Sequence, residues 1–227
     1  MNQLLEIAHL DIGRKSILVK NVHCDIEKGE LVILTGVNGS GKSTLLKTIA
    51  HLIPPISGSI LINRQQLSRL NARETARLIA FASTNRINED YITVREMVAF
   101  GRFPFEQKRW NAMQNDSRID EAMGLMNIKH LGDKHLNRIS DGEWQKANVS
   151  RVLAQDTPVI LMDEPSAFLD YPSKIQLFKD LRDIAISRNK VIIISTHDIE
   201  LASAHGTLFW HIKDREFSSS DQPIPWI

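Results

Sequence analysis

The nonapeptide "GVNGSGKST", Gly36 to Thr44, satisfies the pattern G-x-x-x-x-G-K-[ST] in full. Each residue type in it has a task in holding a polyphosphate. Gly36, Gly39 and Gly41 let the backbone curl until its amides point at phosphate oxygens. Asn38, Ser40 and Thr44 complete the loop. Lys42 offers a fixed cation to the β- and γ-phosphates, and Ser43 a hydroxyl to Mg²⁺. The surroundings give the pattern its weight. "GELVILTG" reads as an apolar strand, and a helix is expected from about Lys42, whose N-terminal dipole favours the same anion.

Two more strand ends carry chemistry. "VILMDE" places Asp163 at the end of a buried apolar run, where a lone carboxylate is costly unless it meets a cation such as Mg²⁺, through water. Glu164, one residue on, is placed to orient or deprotonate a water attacking a γ-phosphate. His197 closes "VIIISTHD" at the C-terminal end of another core strand, the edge where open parallel sheets bind ligands. It could donate to the γ-phosphate there. Position alone leaves a structural histidine equally open. Ser140-Asp141-Gly142-Glu143 begins a long helix with the Ser-x-x-Glu form of a capping box. Whether that exposed N-terminus only caps a helix or also holds a ligand is open from these residues.

These groups need a scaffold that brings strand ends together. "LLEIAHLDI" and "ILVKNVHCDI" read as strands joined by a turn near Gly13, forming an antiparallel edge. "GELVILTG", "LIAFAST", "PVILMDEP" and "VIIISTHD" are apolar runs of the kind found in strands covered on both faces. "GSILI" is a short strand and "TLFWHIKD" an edge strand. Helices are expected to start at Asn71, with Glu74 three residues on, and at Thr93, with Glu96 three residues on. The stretch 93–138 is helical and reads as an inserted lobe. Within it Phe103, Phe105 and Trp110 flank Pro104, either packed inside or forming a socket for a partner helix. The tail "SSSDQPIPWI" lacks a pattern. Alternating strands and helices predict an α/β fold with a mainly parallel sheet.

The bulk numbers bound the function. The 227 residues suit one α/β domain with a small insertion. A formal net charge of +1 gives no broad attraction to nucleic acid, and a single cysteine, Cys24, cannot form an internal disulfide. No apolar run is long enough to span a membrane, and "MNQLLEIAHLD" does not resemble a secretion signal. The expectation is a cytoplasmic protein that reaches a membrane only through a partner.

Taken together, "GVNGSGKST", "ISDGE", "VILMDE", "SAFLD" with Asp170, and His197, in this order and spacing, resemble the ATP-binding subunits of ABC transporters over nearly the whole chain. The wording of "ITVREMVAFGRFPF" and "VLAQDTPVILMDEPSAFLD" is similar to the branch serving iron–siderophore, heme and cobalamin importers. The resemblance implies a P-loop NTPase-like domain over 1–227, a helical subdomain near 93–138, ATP with Mg²⁺, and hydrolysis by Glu164 and His197. It further implies a head-to-tail homodimer in which Ser140, Asp141, Gly142 and Glu143 face the partner's ATP. Permease subunits would hold the chain at the inner face of the cell membrane, and a substrate-binding protein would act with them. Three positions depart from the family pattern. Asp141 stands in place of a glycine, Thr84 in place of a glutamine, and Arg14 near the place of an aromatic that stacks on adenine. The C-terminal regulatory domain of some relatives is not expected. The competing expectations are a soluble ABC-type ATPase of protein or iron–sulfur assembly, and an ATP-gated dimerisation module with little turnover.

Overall fold

The computed structural model describes residues 3–86, 91–105 and 112–223. Among these, ten strands form one sheet. The chain begins with β1 (Gln3–Gly13) and β2 (Ile17–Glu27), then β3 (Leu31–Gly36) and α1 (Lys42–Ile49). Next come β4 (Ser57–Ile62), β5 (Gln65–Gln66), α2 (Ala72–Leu78) and β6 (Ile79–Ala82). Helices α3 (Val94–Ala99), α4 (Ala112–Leu125) and α5 (Asp141–Gln155) follow, with short 3₁₀ turns between them. The rest alternates: β7 (Val159–Asp163), α6 (Tyr171–Ser187), β8 (Val191–Ser195), α7 (Ile199–His205), β9 (Leu208–Lys213) and β10 (Glu216–Ser220).

The order across the sheet is β5-β4-β1-β2-β10-β9-β3-β8-β7-β6. Strands β9, β3, β8, β7 and β6 run parallel. Their residues divide between two cores according to the period-two alternation of a strand. Leu31 and Ile33, Ile160 and Met162, and Ile192 and Ile194 face the helices α3 to α6. Val32 and Leu34, Val159 and Leu161, and Val191 and Ile193 face α1 and the antiparallel strands. Burial on both faces is why these strands read as unbroken apolar runs.

One expectation about edges is corrected. "TLFWHIKD" is not an edge strand: β9 lies between β3 and β10. Its neighbour β10 runs into the start of the patternless tail, and "EFSSS" pairs antiparallel with β9 in register from Glu216 opposite Lys213 to Ser220 opposite Phe209. Polar residues can form this strand because backbone groups make the ladder, and Phe217 alone packs edge-on against the buried Trp210. The antiparallel edge is present and wider than the first hairpin, since β4 and β5 extend it beyond β1 while β10 adjoins β2.

The helix starts follow the sequence closely. Glu74 N–H donates to Asn71 Oδ1 at 2.9 Å while Asn71 N–H donates to the Glu74 carboxylate at 2.8 Å. Thr93 and Glu96 make the same reciprocal pair, opening α3. Each box satisfies two of the amides that a helix start leaves without partners.

Candidate functional site

The loop between β3 and α1 wraps a cleft of about 300 Å³. Gly41 precedes α1 with φ of 114°, a conformation few other residues adopt. A side chain there would press on Val19 and Leu18 at about 3.0 Å. Gly36 is tighter still, because a Cβ would lie 2.6 Å from the Ile212 carbonyl and 2.7 Å from Ser40 Oγ. Lys42 is buried, and its Nζ folds back to donate to the Gly36 carbonyl at 2.7 Å and the Val37 carbonyl at 3.3 Å. Burial pulls its pKa below the ordinary lysine value, partly opposed by Glu164 and Asp163. The ammonium therefore rests on two neutral acceptors in a place where a stronger, charged acceptor would fit.

Asn38, Gly39, Ser43, Thr44, Thr84, Asp163, Glu164 and His197 line the same cleft. The sheet brings them there. β8 pairs with both β3 and β7, and Asp163 stands opposite Ser195 in the ladder. Ser195 Oγ donates to Asp163 Oδ1 at 2.6 Å and accepts the Glu164 amide at 3.0 Å. Glu164 adopts φ of 51°. A non-glycine residue in that region costs on the order of 1–2 kcal/mol, and the turn holds it by bonds to Ser195 and through Gln145, which donates to the Pro165 carbonyl at 3.0 Å. The strained turn aims the Glu164 carboxyl into the cleft. Its Oε1 is buried with no hydrogen-bond partner among the described residues and lies 3.1 Å from His197 Nε2. Desolvation raises its pKa above the usual carboxylate range, with His197 and Lys42 pulling the other way.

The chain's residues suit a nucleotide triphosphate. Ser40 Oγ and Glu164 Oε1 are buried polar atoms with no hydrogen-bond partner among the described residues. Lys42 has weak partners, and two carboxylates flank the loop. Among the described residues no group of three or more histidine, cysteine or carboxylate side chains forms a self-sufficient metal cage. A cation here would be shared between Ser43, Asp163 and phosphate oxygens.

Ser140 and its neighbours stand elsewhere. Ser140, Asp141, Gly142, Glu143, Lys146, Phe168, Leu169, Asp170 and Ser173 line a second cleft of about 470 Å³, and no residue lines both. Both capping-box bonds are made, from the Glu143 amide to Ser140 Oγ at 3.2 Å and from the Ser140 amide to the Glu143 carboxylate at 2.8 Å. That amide bond holds the Glu143 carboxyl below its ordinary pKa. Asp170 caps α6, accepting the Ser173 amide at 3.0 Å.

Arg14 lies on the exposed turn after β1, outside the residues lining the first cleft, whereas Leu18 lines it. Leu18, Ser195 and Gln145 are contributors that sequence reasoning missed. Ser195 carried a signal in "IIISTHD", but its task depends on β8 lying beside β7. Phe103 is 69% exposed, and Phe105 lies 4.5 Å beneath the Arg102 guanidinium. Trp110 falls outside the described residues.

A family model described as ABC transporter matches residues 19–167. An uncharacterized ABC transporter ATP-binding protein of Methanocaldococcus jannaschii is 36% identical over 201 residues, 88% of this chain and 69% of that protein. A petrobactin import ATP-binding protein of Bacillus anthracis is 28% identical over 226 residues, 98% of this chain and 82% of its own length. Among solved structures, a dimeric bacterial ABC transporter cassette superposes with a TM-score of 0.85 at 25% identity, covering 96% of this chain and 98% of that one. The chain belongs to the ABC transporter family, as an ATP-binding domain of its ATPase type.

Proposed function

We propose that the chain hydrolyses ATP with Mg²⁺ to drive an importer of iron–siderophore complexes, heme or a similar metal chelate. The observation that carries the shared-site part of this reading is the separation of the two clefts. Lys42, Asp163 and Glu164 line one, Ser140 and Asp170 the other, and no residue belongs to both. A second copy placed head to tail would bring the N-terminus of α5 onto the phosphates held by the first. The import class rests on the petrobactin-import relative.

The roles follow from placement. Gly36, Asn38, Gly39, Ser40, Gly41 and Thr44 shape the loop around the phosphates, and Lys42 pairs with the β- and γ-oxygens. Ser43 and Asp163 would hold Mg²⁺, which supplies charge neutralisation on those oxygens. Glu164 accepts the proton of the attacking water, and His197, 3.1 Å from it, orients the γ-phosphate. Ser140 and the Gly142 backbone serve the partner's ATP while Glu143 keeps the helix start capped. The helices of 93–138 form a subdomain that faces the membrane subunits. Phe103 with Ala72, Ala76 and Pro104 borders an apolar depression of about 490 Å³ suited to a short permease helix. Arg73 and Arg77 each donate Nε to the Pro104 carbonyl at 3.1 Å and hold its rim in shape. No helix among the described residues is long and apolar enough to cross a membrane, so attachment would come through those subunits.

Two experiments test this reading. Deleting the chain from its host should abolish uptake of a radiolabelled ferric siderophore, heme or cobalamin, with restoration by the parent chain and not by Glu164→Gln. Normal uptake of all three would remove the import assignment. Separately, Ser140→Arg should leave ATP binding intact and block turnover. If Ser140 is only a helix cap, the loss should be ~1 kcal/mol of stability with activity per folded molecule retained. Mixing Ser140→Arg with Lys42→Ala should recover measurable activity, because a head-to-tail mixed dimer gathers both defects in one site and leaves the other whole.

A further inference from the structure

Asp141, the first residue of α5, puts a carboxylate where the second cleft opens. That charge is favourable to the helix's own dipole and unfavourable to a triphosphate arriving at the same place. The Asp141 carboxylate is not alone. It pairs with the guanidinium of Arg86, whose other amino group donates to the Leu136 carbonyl at 3.1 Å.

Arg86 lies two residues beyond Thr84, which lines the nucleotide cleft. The backbone leading to Thr84 is fastened to α5 as well. Asn148 donates to the Ser83 carbonyl at 2.9 Å, and Arg151 donates to the Phe81 carbonyl at 3.0 Å. Arg151 also donates to Asn148 Oδ1 at 3.1 Å, which orients that amide. The segment is thus held before Thr84 by two side chains of α5 and after it by the ion pair. An arginine fixed by a carbonyl and a carboxylate at once is pre-positioned, since the fork of its guanidinium satisfies both acceptors from one rotamer.

We propose that Arg86 is a positioning residue for the shared site: by neutralising Asp141 it lets the N-terminus of α5 receive the triphosphate of a second copy. The proposal rests on the shared-site reading above. The pair is exposed, so its contribution to folding is small. Its contribution to assembly is larger, because removing Arg86 leaves Asp141 without its ion-pair partner where phosphates would approach across an interface. The same pair joins the Thr84 segment of one site to the helix that serves the other.

The test uses the full chain carrying Glu164→Gln, with MgATP, and reads the dimer by sedimentation velocity over a range of salt. Arg86→Ala should weaken dimerisation on the order of tenfold, the scale of one uncompensated charge at an interface, and most strongly at low salt. Adding Asp141→Asn to Arg86→Ala should restore the dimer, because the charge needing neutralisation is gone. Arg86→Lys should retain most of it. Calorimetric ATP affinity of each monomer checks that the cleft is folded. If Arg86 mattered only for holding the Leu136 carbonyl, Asp141→Asn would rescue nothing and the proposal would fall. It would also fall if Arg86→Ala dimerised like the parent while Ser140→Arg did not, an outcome that leaves the shared site standing. A Ser140→Arg protein that still dimerises overturns the shared site and this proposal together. Should Arg86→Ala fail to fold, Arg86→Gln with and without Asp141→Asn gives the same comparison.

Discussion

Glu164→Gln should bind ATP about as tightly as the parent and hydrolyse it about 10²–10⁴-fold more slowly, the range for removing a general base. The substitution is well matched to the structure. Glutamine keeps the length and shape of the side chain, so the turn at φ 51° and its bonds to Ser195 survive. The change is confined to proton affinity and charge. In the parent, Oε1 is buried without a hydrogen-bond partner among the described residues, 3.1 Å from His197 Nε2, and the side chain lines the cleft in which the attacking water would sit. Binding should persist because the amides of the loop and Lys42 are untouched, and the ATP-bound dimer should accumulate. The parent's pH profile supplies a second signature. Burial raises the Glu164 pKa, and a base works only when ionised, so turnover should fall as pH drops through a value above the ordinary carboxylate range. A Glu164→Gln enzyme with parental kcat, measured by phosphate release, would take Glu164 out of the catalytic role.

The positions around Glu164 divide according to what a one-dimensional pattern can carry. Lys42, Ser43, Asp163 and His197 announce themselves because each sits at the end of an apolar strand or the start of a helix, and those boundaries are local properties. Ser195 does not. Its hydroxyl binds the Asp163 carboxylate only because β8 inserts between β3 and β7, an order fixed by packing across the sheet. Leu18 is similar, since it reaches the cleft because β2 passes beside Gly41. The strand β10 was illegible for a different reason. "EFSSS" has no apolar alternation to detect, and its pairing is made by backbone groups that every sequence has. The Arg86–Asp141 pair combines both difficulties, with partners 55 residues apart and each exposed enough to read as ordinary surface charge.

Lys42→Ala should lower ATP affinity by at least about a hundredfold. Charge-assisted hydrogen bonds contribute ~1.5–3 kcal/mol each, and Lys42 is placed to make bonds to both the β- and γ-phosphates. The structure sharpens the expectation in two ways. First, the ammonium is buried, and its pKa is depressed by that burial, so the protein already bears a desolvation cost that a bound polyphosphate would offset. Second, the present partners of Nζ are the Gly36 and Val37 carbonyls, two neutral acceptors that it can exchange for anionic oxygens by a small rotation of its chain. Folding should survive. Lys42 is the first residue of α1, alanine is a good helix former, and the Leu45, Leu46 and Ile49 face of that helix stays packed in the core. Thermal unfolding without nucleotide should therefore differ little from the parent, while the stabilisation that ATP gives the parent should disappear at the same ligand concentration. Isothermal calorimetry reads the affinity directly. A Lys42→Ala protein that binds ATP as the parent does would mean that the loop from Gly36 to Thr44 does not hold the phosphates, and with it the assignment of the whole first cleft would fail.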